Sequence, residues 1–445
     1  MAPNPEERRA GRGLRGIGRA LRHRNYRLFF FGQGVSLIGT WLTRIATSWL
    51  VYRLTGSALL LGLVAFAGQI PTFLLGPFAG VWVDRARRRP LLVVTQSLSA
   101  LQSALLAVFT LDGSITVVHV LLLNLFQGLV NSVDMPGRQA FVVEMVESRD
   151  DLPNAIALNS SIVNAARLLG PSIGGVLIAA VGEGYCFAID AVSYIGVIAS
   201  LFSMRLSGAM PPRRDKRALH ELSEGFRYAA GFRPIRAVLL LLALVSLMGM
   251  PHTVLMPIIA GRVLHGGAHT LGWLMAATGL GALTGALYLA SRPSVLGLGR
   301  LIGRSAVIFG AALVAFSFSR WLVLSLPLLF VAGLCMMLEM ASSNTILQTI
   351  VEDDKRGRVM SFFAMAFFGT APIGSLFGGV LAARMGAPHT ILIGGLACMV
   401  GGFVFFRELP RIRDAVRPIY ERLGIVPPVA EGVGEASELR VSSGG

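Results

Sequence analysis

The sequence predicts an all-α integral membrane protein with twelve transmembrane helices arranged as two pseudo-symmetric six-helix bundles. Three observations support this. The 445 residues are 54% hydrophobic and only 14% charged, with a mean hydropathy of +0.66, whereas ordinary soluble domains carry roughly 25% charged residues. The apolar residues gather into about a dozen runs of ~20, each long enough to cross a ~30 Å hydrocarbon layer as a helix. Features of the first half of the chain also recur in the second half.

Residues 1–27 hold eight arginines and no apolar run, which makes them a basic tail. The first span, 28–52, is too long for a signal peptide, contains Trp41 and Arg44, and lacks a small-x-small cleavage site. Spans at 58–83, 91–110, 116–137, 156–180 and 186–206 complete a first set of six over 28–206. The linker 207–236 is basic and places Leu219, Leu222, Phe226 and Ala229 at helical spacing. That pattern predicts an amphipathic helix lying on the membrane surface. Spans at 237–260, 271–291, 301–318, 321–342, 357–382 and 388–407 form the second set, over 237–407. Residues 408–445 are rich in Pro, Glu, Gly and Ser, the composition of a disordered tail.

A net charge of +16 on a soluble chain would suggest nucleic acid, but here its distribution sets topology instead. With the N-terminus inside, nearly all basic residues fall on the inner side. The exceptions are Arg53, Arg262, Arg320 and Arg384 outside, and Arg44 and Arg167 within spans. The positive-inside rule therefore predicts a multi-pass protein of the cytoplasmic (inner) membrane with both termini cytoplasmic. Its basic loops would touch anionic lipid heads, and no nucleic-acid partner is expected.

Cofactor and metal signals are missing from the sequence. Cys186, Cys335 and Cys398 lie far apart in apolar runs. His265 and His269 supply two ligands with no third nearby, too few for a structural metal. There is no G-x-x-x-x-G-K-[ST] loop for direct use of ATP.

The internal repeat is the most informative pattern. Asp134-Met-Pro-Gly-Arg-Gln through Glu147 aligns without a gap to Glu339-Met-Ala-Ser-Ser-Asn through Glu352, and Gly174-Gly-Val-Leu177 matches Gly378-Gly-Val-Leu381. Duplicated six-helix halves related by an axis along the membrane normal are an architecture of secondary transporters.

Two motifs carry a family resemblance. Gly80-Val-Trp-Val-Asp84-Arg85-Ala-Arg87-Arg88-Arg89, after the second span, resembles the G-x-x-x-D-R-x-x-R-R motif of the major facilitator superfamily. In the fifth span, Arg167-Leu-Leu-Gly170-Pro171-Ser-Ile-Gly174-Gly175 resembles that superfamily's exporter pattern, G-x-x-x-G-P-x-x-G-G, with Ala166 replacing the first glycine. Further stretches, Trp49-Leu-Val-Tyr-Arg-Leu-Thr-Gly-Ser57, Leu152-Pro-Asn-Ala-Ile-Ala-Leu-Asn159 and Arg356-Gly-Arg-Val-Met-Ser361, are similar to the third drug-proton antiporter family. That family includes enterobactin-type siderophore exporters and macrolide efflux pumps. The resemblance covers roughly residues 24 to 410. It implies the major facilitator fold, alternating access and proton-coupled antiport. One departure is Asn124 in Asn124-Leu-Phe-Gln127-Gly128, where a related motif of proton-coupled exporters has Arg.

On this reading Asp84, Arg85, Arg88, Asp134, Arg138 and Glu339 form an inner gate, in which Asp84 accepts hydrogen bonds from a helix N-terminus and balances guanidinium groups. Gly76 and Gly80 would permit close helix approach there. Gly170, Pro171, Gly174 and Gly175 form a flexible seam, because proline removes a helical hydrogen bond and glycines allow close packing. Ionisable groups at membrane depth are functional candidates. Arg44 and Asp190 lie at similar depths and either pair with each other or serve substrate or coupling. Arg167, near the midplane with no acid at its depth in its own half, either contacts an anionic part of the cargo or braces backbone carbonyls.

The expected function is a monomeric secondary active transporter that exports a small molecule such as a siderophore, a drug or a related amphipathic compound. Transport of a lysophospholipid or other lipid is the alternative. An integral-membrane enzyme is disfavoured because the seven histidines are scattered and no nucleophile-base spacing occurs.

Overall fold

The computed structural model describes residues 18–146, 148–205, 227–292 and 294–426. Among them there are twelve long helices and no strand. The first six are α1 (Arg24–Thr55), α2 (Ala58–Arg85), α3 (Arg88–Leu111), α4 (Val117–Met145), α5 (Leu152–Val181) and α6 (Glu183–Ser203). The second six are α7 (Arg233–Val263), α8 (Ala268–Ala290), α9 (Leu298–Phe318), α10 (Leu322–Ile350), α11 (Lys355–Met385) and α12 (Ala387–Arg422). Eleven helices are both long and apolar enough to cross a membrane. The remaining one, α1, has the length at 32 residues, but Gln33, Ser36, Thr40, Thr43 and Arg44 lower its mean hydropathy.

The duplication is visible in the packing. Within the first half α2 packs on α4, α3 on α6, and α3 on α4; within the second half α8 packs on α10, α9 on α12, and α9 on α10. The halves meet chiefly through two equivalent contacts, α5 with α8 and α11 with α2, and α7 adds smaller contacts with α1 and α2. Turns repeat as well: Gly182 (φ 86°) reverses the chain after α5 and Gly386 (φ 87°) after α11. A backbone in that region is open to glycine and strained for any other residue.

Two features depart from the sequence reading. The tail expected to be disordered from 408 instead continues α12 as far as Arg422. Leu409, Ile412 and Val416 recur at helical spacing and are buried, while Arg411–Glu408 and Arg417–Glu421 pair along the exposed side. The rest of that tail, 427–445, lies outside the described residues, as do 1–17 and residues 206–226 of the linker, including Leu219, Leu222 and Phe226. Ala229 is buried at the foot of the second half.

The second departure is three π-helical turns, at Val245–Gly249 and Ile259–Val263 in α7 and at Met365–Gly369 in α11. A π turn inserts one residue and frees backbone groups. Here the freed groups are partly recovered across the two helices: Ser246 Oγ donates to the Phe367 carbonyl at 2.6 Å, and Thr370 Oγ to the Ala243 carbonyl at 3.4 Å.

The start of the chain is fastened to the foot of α5. Arg19 and His23 both reach Asp151, the latter at 2.9 Å. The Ala20 amide donates to Asn154 Oδ1 at 2.9 Å, and Tyr26 OH donates to the Ala155 carbonyl at 2.7 Å. The His23 hydrogen bond first, and the Arg19 guanidinium after it, hold the Asp151 carboxyl below its ordinary value.

Candidate functional site

The surfaces between the halves are closed at one end and open at the other. At the end opposite the termini, the far end, a Cβ on Gly62 of α2 would stand 2.9 Å from the Gly379 Cα of α11. On the equivalent pair, a Cβ on Gly175 of α5 would stand 2.7 Å from the Gly272 Cα of α8. Only glycine permits such an approach. Halfway along α2, Phe73 covers Gly369, the last residue of the π turn in α11. Gly80 lies about five turns beyond Gly62 on the same face of α2. There, and at Gly76, a Cβ would have no neighbour within 4 Å. The close approach expected at Gly76 and Gly80 is therefore absent: α2 leans on the other half from its far end to about Phe73.

The predicted seam is a packing surface on two sides of α5, which runs unbroken through Pro171. Gly170 faces Trp41, and Gly174 faces Leu42 and Ile45, all on α1, whereas Gly175 faces α8. The repeat reproduces this division. Gly378 faces Pro251 of α7 within its own half, and Gly379 crosses to α2.

Beside this seam lies a charged centre. The Arg44 guanidinium carbon sits 4.9 Å from the centroid of the Trp41 indole, and that of Arg167 sits 5.6 Å from the same centroid. Both distances are in cation–π range. Among the described residues neither arginine has a carboxylate partner or hydrogen bond. Arg44 is exposed, and Arg167 is half-buried. Next to Arg167 in sequence, Leu168 meets Gly279 of α8, so the centre borders the junction of the two halves.

The alternative in which Arg44 and Asp190 pair does not form. Asp190 Oδ2 instead accepts from Thr43 Oγ1 and Ser103 Oγ, each at 2.7 Å, while Oδ1 has no partner and lies against Gly39. Asp190 is 1% exposed and ties α1, α3 and α6 together.

Most predicted gate residues gather at the terminal end of the first half. Fully buried Asp134 is paired with Arg138 and accepts from Thr95 Oγ1 and Gln96 Nε2 at 2.7 Å each. Arg88 reaches Glu144 at 2.5 Å, Arg89 donates to the Phe202 carbonyl, and Arg85 is exposed. The side chain of Asp84 lies outside the described residues. Glu339 is not brought to this cluster but lies buried in the second half. Among the described residues its only hydrogen bond is from Ser343 at 3.4 Å, and Oε2 is without a partner. Sequence reasoning missed Thr95, Gln96, Thr43 and Ser103. Their signal was the polar side chain inside an apolar span.

Twelve helices in two repeated halves, closed at one end around a charged centre, define a secondary transporter of the major facilitator fold. Residues 19–426 match the family of major facilitator proteins described as transmembrane secretion effectors, and the chain belongs to that family. It is 25% identical to the staphyloferrin A transporter of Staphylococcus aureus, over 85% of this chain and 94% of the relative. It is 28% identical to the multidrug efflux pump Tap of Mycolicibacterium fortuitum, over 87% and 96% respectively. Macrolide efflux protein A of Streptococcus pyogenes is 22% identical over 84% and 94%. In fold the chain is similar to the peptide transporter POT (TM-score 0.70, 12% identity, 88% of this chain and 95% of that one). It is similar too to a bacterial homologue of the iron transporter ferroportin (TM-score 0.68, 16% identity, 86% and 98%). The chain is thus a multi-pass membrane transporter with a small-molecule substrate, and not an enzyme.

Proposed function

We propose that this protein is a monomeric exporter of the cytoplasmic membrane, with both termini in the cytoplasm, moving a siderophore, a drug or a related amphipathic compound outward by alternating access. The observation that carries this reading is the face of α2 that touches α11 at Gly62 and meets nothing at Gly80. A pair of bodies, residues 28–206 and 237–407, in contact at the far end leaves the central charges open towards the terminal end. Rocking about Phe73 and Gly369 would exchange which end is closed. Asp134, Arg138, Arg88, Arg85 and Asp84 would then engage the second half as the inner gate, and the small residues Gly170, Pro171, Gly174 and Gly175 would let α5 slide on α1 and α8. The basic segments at the terminal end would rest on anionic lipid heads.

Proton coupling is assigned to Asp190 and Glu339. Both are buried and, among the described residues, their carboxylates are hydrogen-bonded only by neutral hydroxyls. A carboxyl group without a counter-cation changes its proton occupancy when the hydration around it changes, which is what alternating access supplies. The test is a substrate screen in cells with and without the protein, measuring accumulation of labelled siderophores, macrolides and lysophospholipids at two external pH values. Export that depends on the pH gradient, and becomes independent of it in Glu339→Gln or Asp190→Asn, is expected. Lysophospholipid movement alone would replace the proposed cargo with a lipid. Unchanged pH dependence in both variants would reject the coupling assignment.

A further inference from the structure

We propose that Arg44, Trp41 and Arg167 form a binding site for a small organic acid carrying at least two carboxylates. The proposal rests on the transporter reading above and narrows its cargo class.

Two guanidinium groups within 4.9 and 5.6 Å of one indole centroid are close enough to repel each other, and no acid among the described residues approaches either one. The acid that packs on α1, Asp190 of α6, meets that helix at Gly39 and Thr43 and is held there by Thr43 and Ser103. A doubly positive centre inside a membrane protein is costly when uncompensated. Other arginines of the chain have found acids, including Arg53 with Glu183, Arg88 with Glu144 and Arg138 with Asp134. The centre is therefore short of two negative charges, and a dianion supplies both.

Geometry adds the rest. Trp41 is fixed by Gly170, whose missing side chain lets the indole Cβ approach. The ring thus spaces the two guanidinium groups at a set depth instead of letting them snorkel apart. A guanidinium presents a planar fork that matches a carboxylate in bidentate fashion. Arg44 keeps accessible surface, so its fork is reachable. The indole sets an apolar surface beside the two charges, which suits a ligand whose carboxylates are joined by a short carbon skeleton.

The test uses the purified full-length protein in nanodiscs, titrated with citrate against acetate at constant chloride and ionic strength, read by tryptophan fluorescence and thermal melting. Saturable binding of citrate with a raised melting temperature, and no such effect of acetate, is expected. Arg44→Gln and Arg167→Gln should each weaken citrate binding at least tenfold. The lysine variants should weaken it by about threefold, because they keep the charge and lose the fork. Without citrate, both glutamine variants should melt no lower than the parent, since each relieves a repulsion. Three outcomes would overturn the proposal: equal effects of citrate and acetate, citrate affinity unchanged in both glutamine variants, or no binding of citrate at all. Lowered melting with unchanged affinity would make the arginines structural braces. The transporter reading fails separately. It falls if citrate binds as expected while no compound in the cellular screen is exported, whereas export of a cationic drug unaffected by either glutamine variant would sink the dicarboxylate site alone.

Discussion

Asp134 and Glu339 stand at equivalent positions of the repeat, yet their surroundings differ. Arg138 follows Asp134 by four positions and neutralises it, while the equivalent position in the second half is Ser343. Removing Arg138 would strand a fully buried carboxylate, so Arg138→Gln should destabilise the protein by about 3 kcal/mol. Chemical unfolding in nanodiscs measures this, and Asp134→Asn added to Arg138→Gln should restore most of the loss. Glu339→Gln strands no cation and should change stability by less than about 1 kcal/mol. A large loss there would reveal a partner that the hydrogen bonds do not contain. This asymmetry was legible in the aligned repeat, which already set Ser343 opposite Arg138. The role of Trp41 was not. It arises where α1 meets α5, and helical periodicity places a residue on a face without naming the helix it will touch. The same limit let depth agreement suggest an Arg44–Asp190 pair that hydroxyl groups on α1 and α3 pre-empt.

At the scale of elements, the fastening of Arg19 and His23 to Asp151 has a defined response to acid. The Asp151 carboxyl is held below its ordinary value in the folded protein, so the contribution of the contact is complete above the ordinary carboxylate range. It is lost as pH falls through the lowered folded value. Hydrogen exchange at Ala20 and His23 should therefore stay slow at neutral and mildly acidic pH and accelerate only below that range. Acceleration near neutrality would contradict the assignment. The paired π turns allow a second check. Ser246→Ala removes the donor to the Phe367 carbonyl inside a buried contact, and should cost about 1 kcal/mol of stability. The twelve spans were legible because an apolar run of membrane length has few other uses. The π turns were not, since one inserted residue leaves an apolar run apolar. The extension of α12 to Arg422 was obscured by composition: Pro410 and Pro418 outweighed Leu409, Ile412 and Val416, although the latter alone decide which face is buried.

For the whole molecule, bare backbone contacts hold the two halves together at the far end, on one side of the Phe73–Gly369 contact proposed as the fulcrum. Gly379→Leu would set a side chain against the Ala58 carbonyl, which already lies 2.8 Å from a Cβ at that place. The far ends should part and the terminal ends approach. Spin labels at Gly80→Cys and Gly357→Cys, both at positions with open surroundings, should report a shorter distance in the Gly379→Leu background than in the parent. An unchanged distance would mean that the halves do not move as levers. The same contact also has a bearing on the cell that carries the protein. Where Cα atoms of two helices touch, no file of water molecules can thread between them, so the junction is an electrical insulator as well as a mechanical contact. A side chain that props it apart opens a wire for protons through a membrane that must hold a voltage. Cells expressing Gly379→Leu should therefore lose membrane potential and grow slowly even on media where nothing needs to be exported.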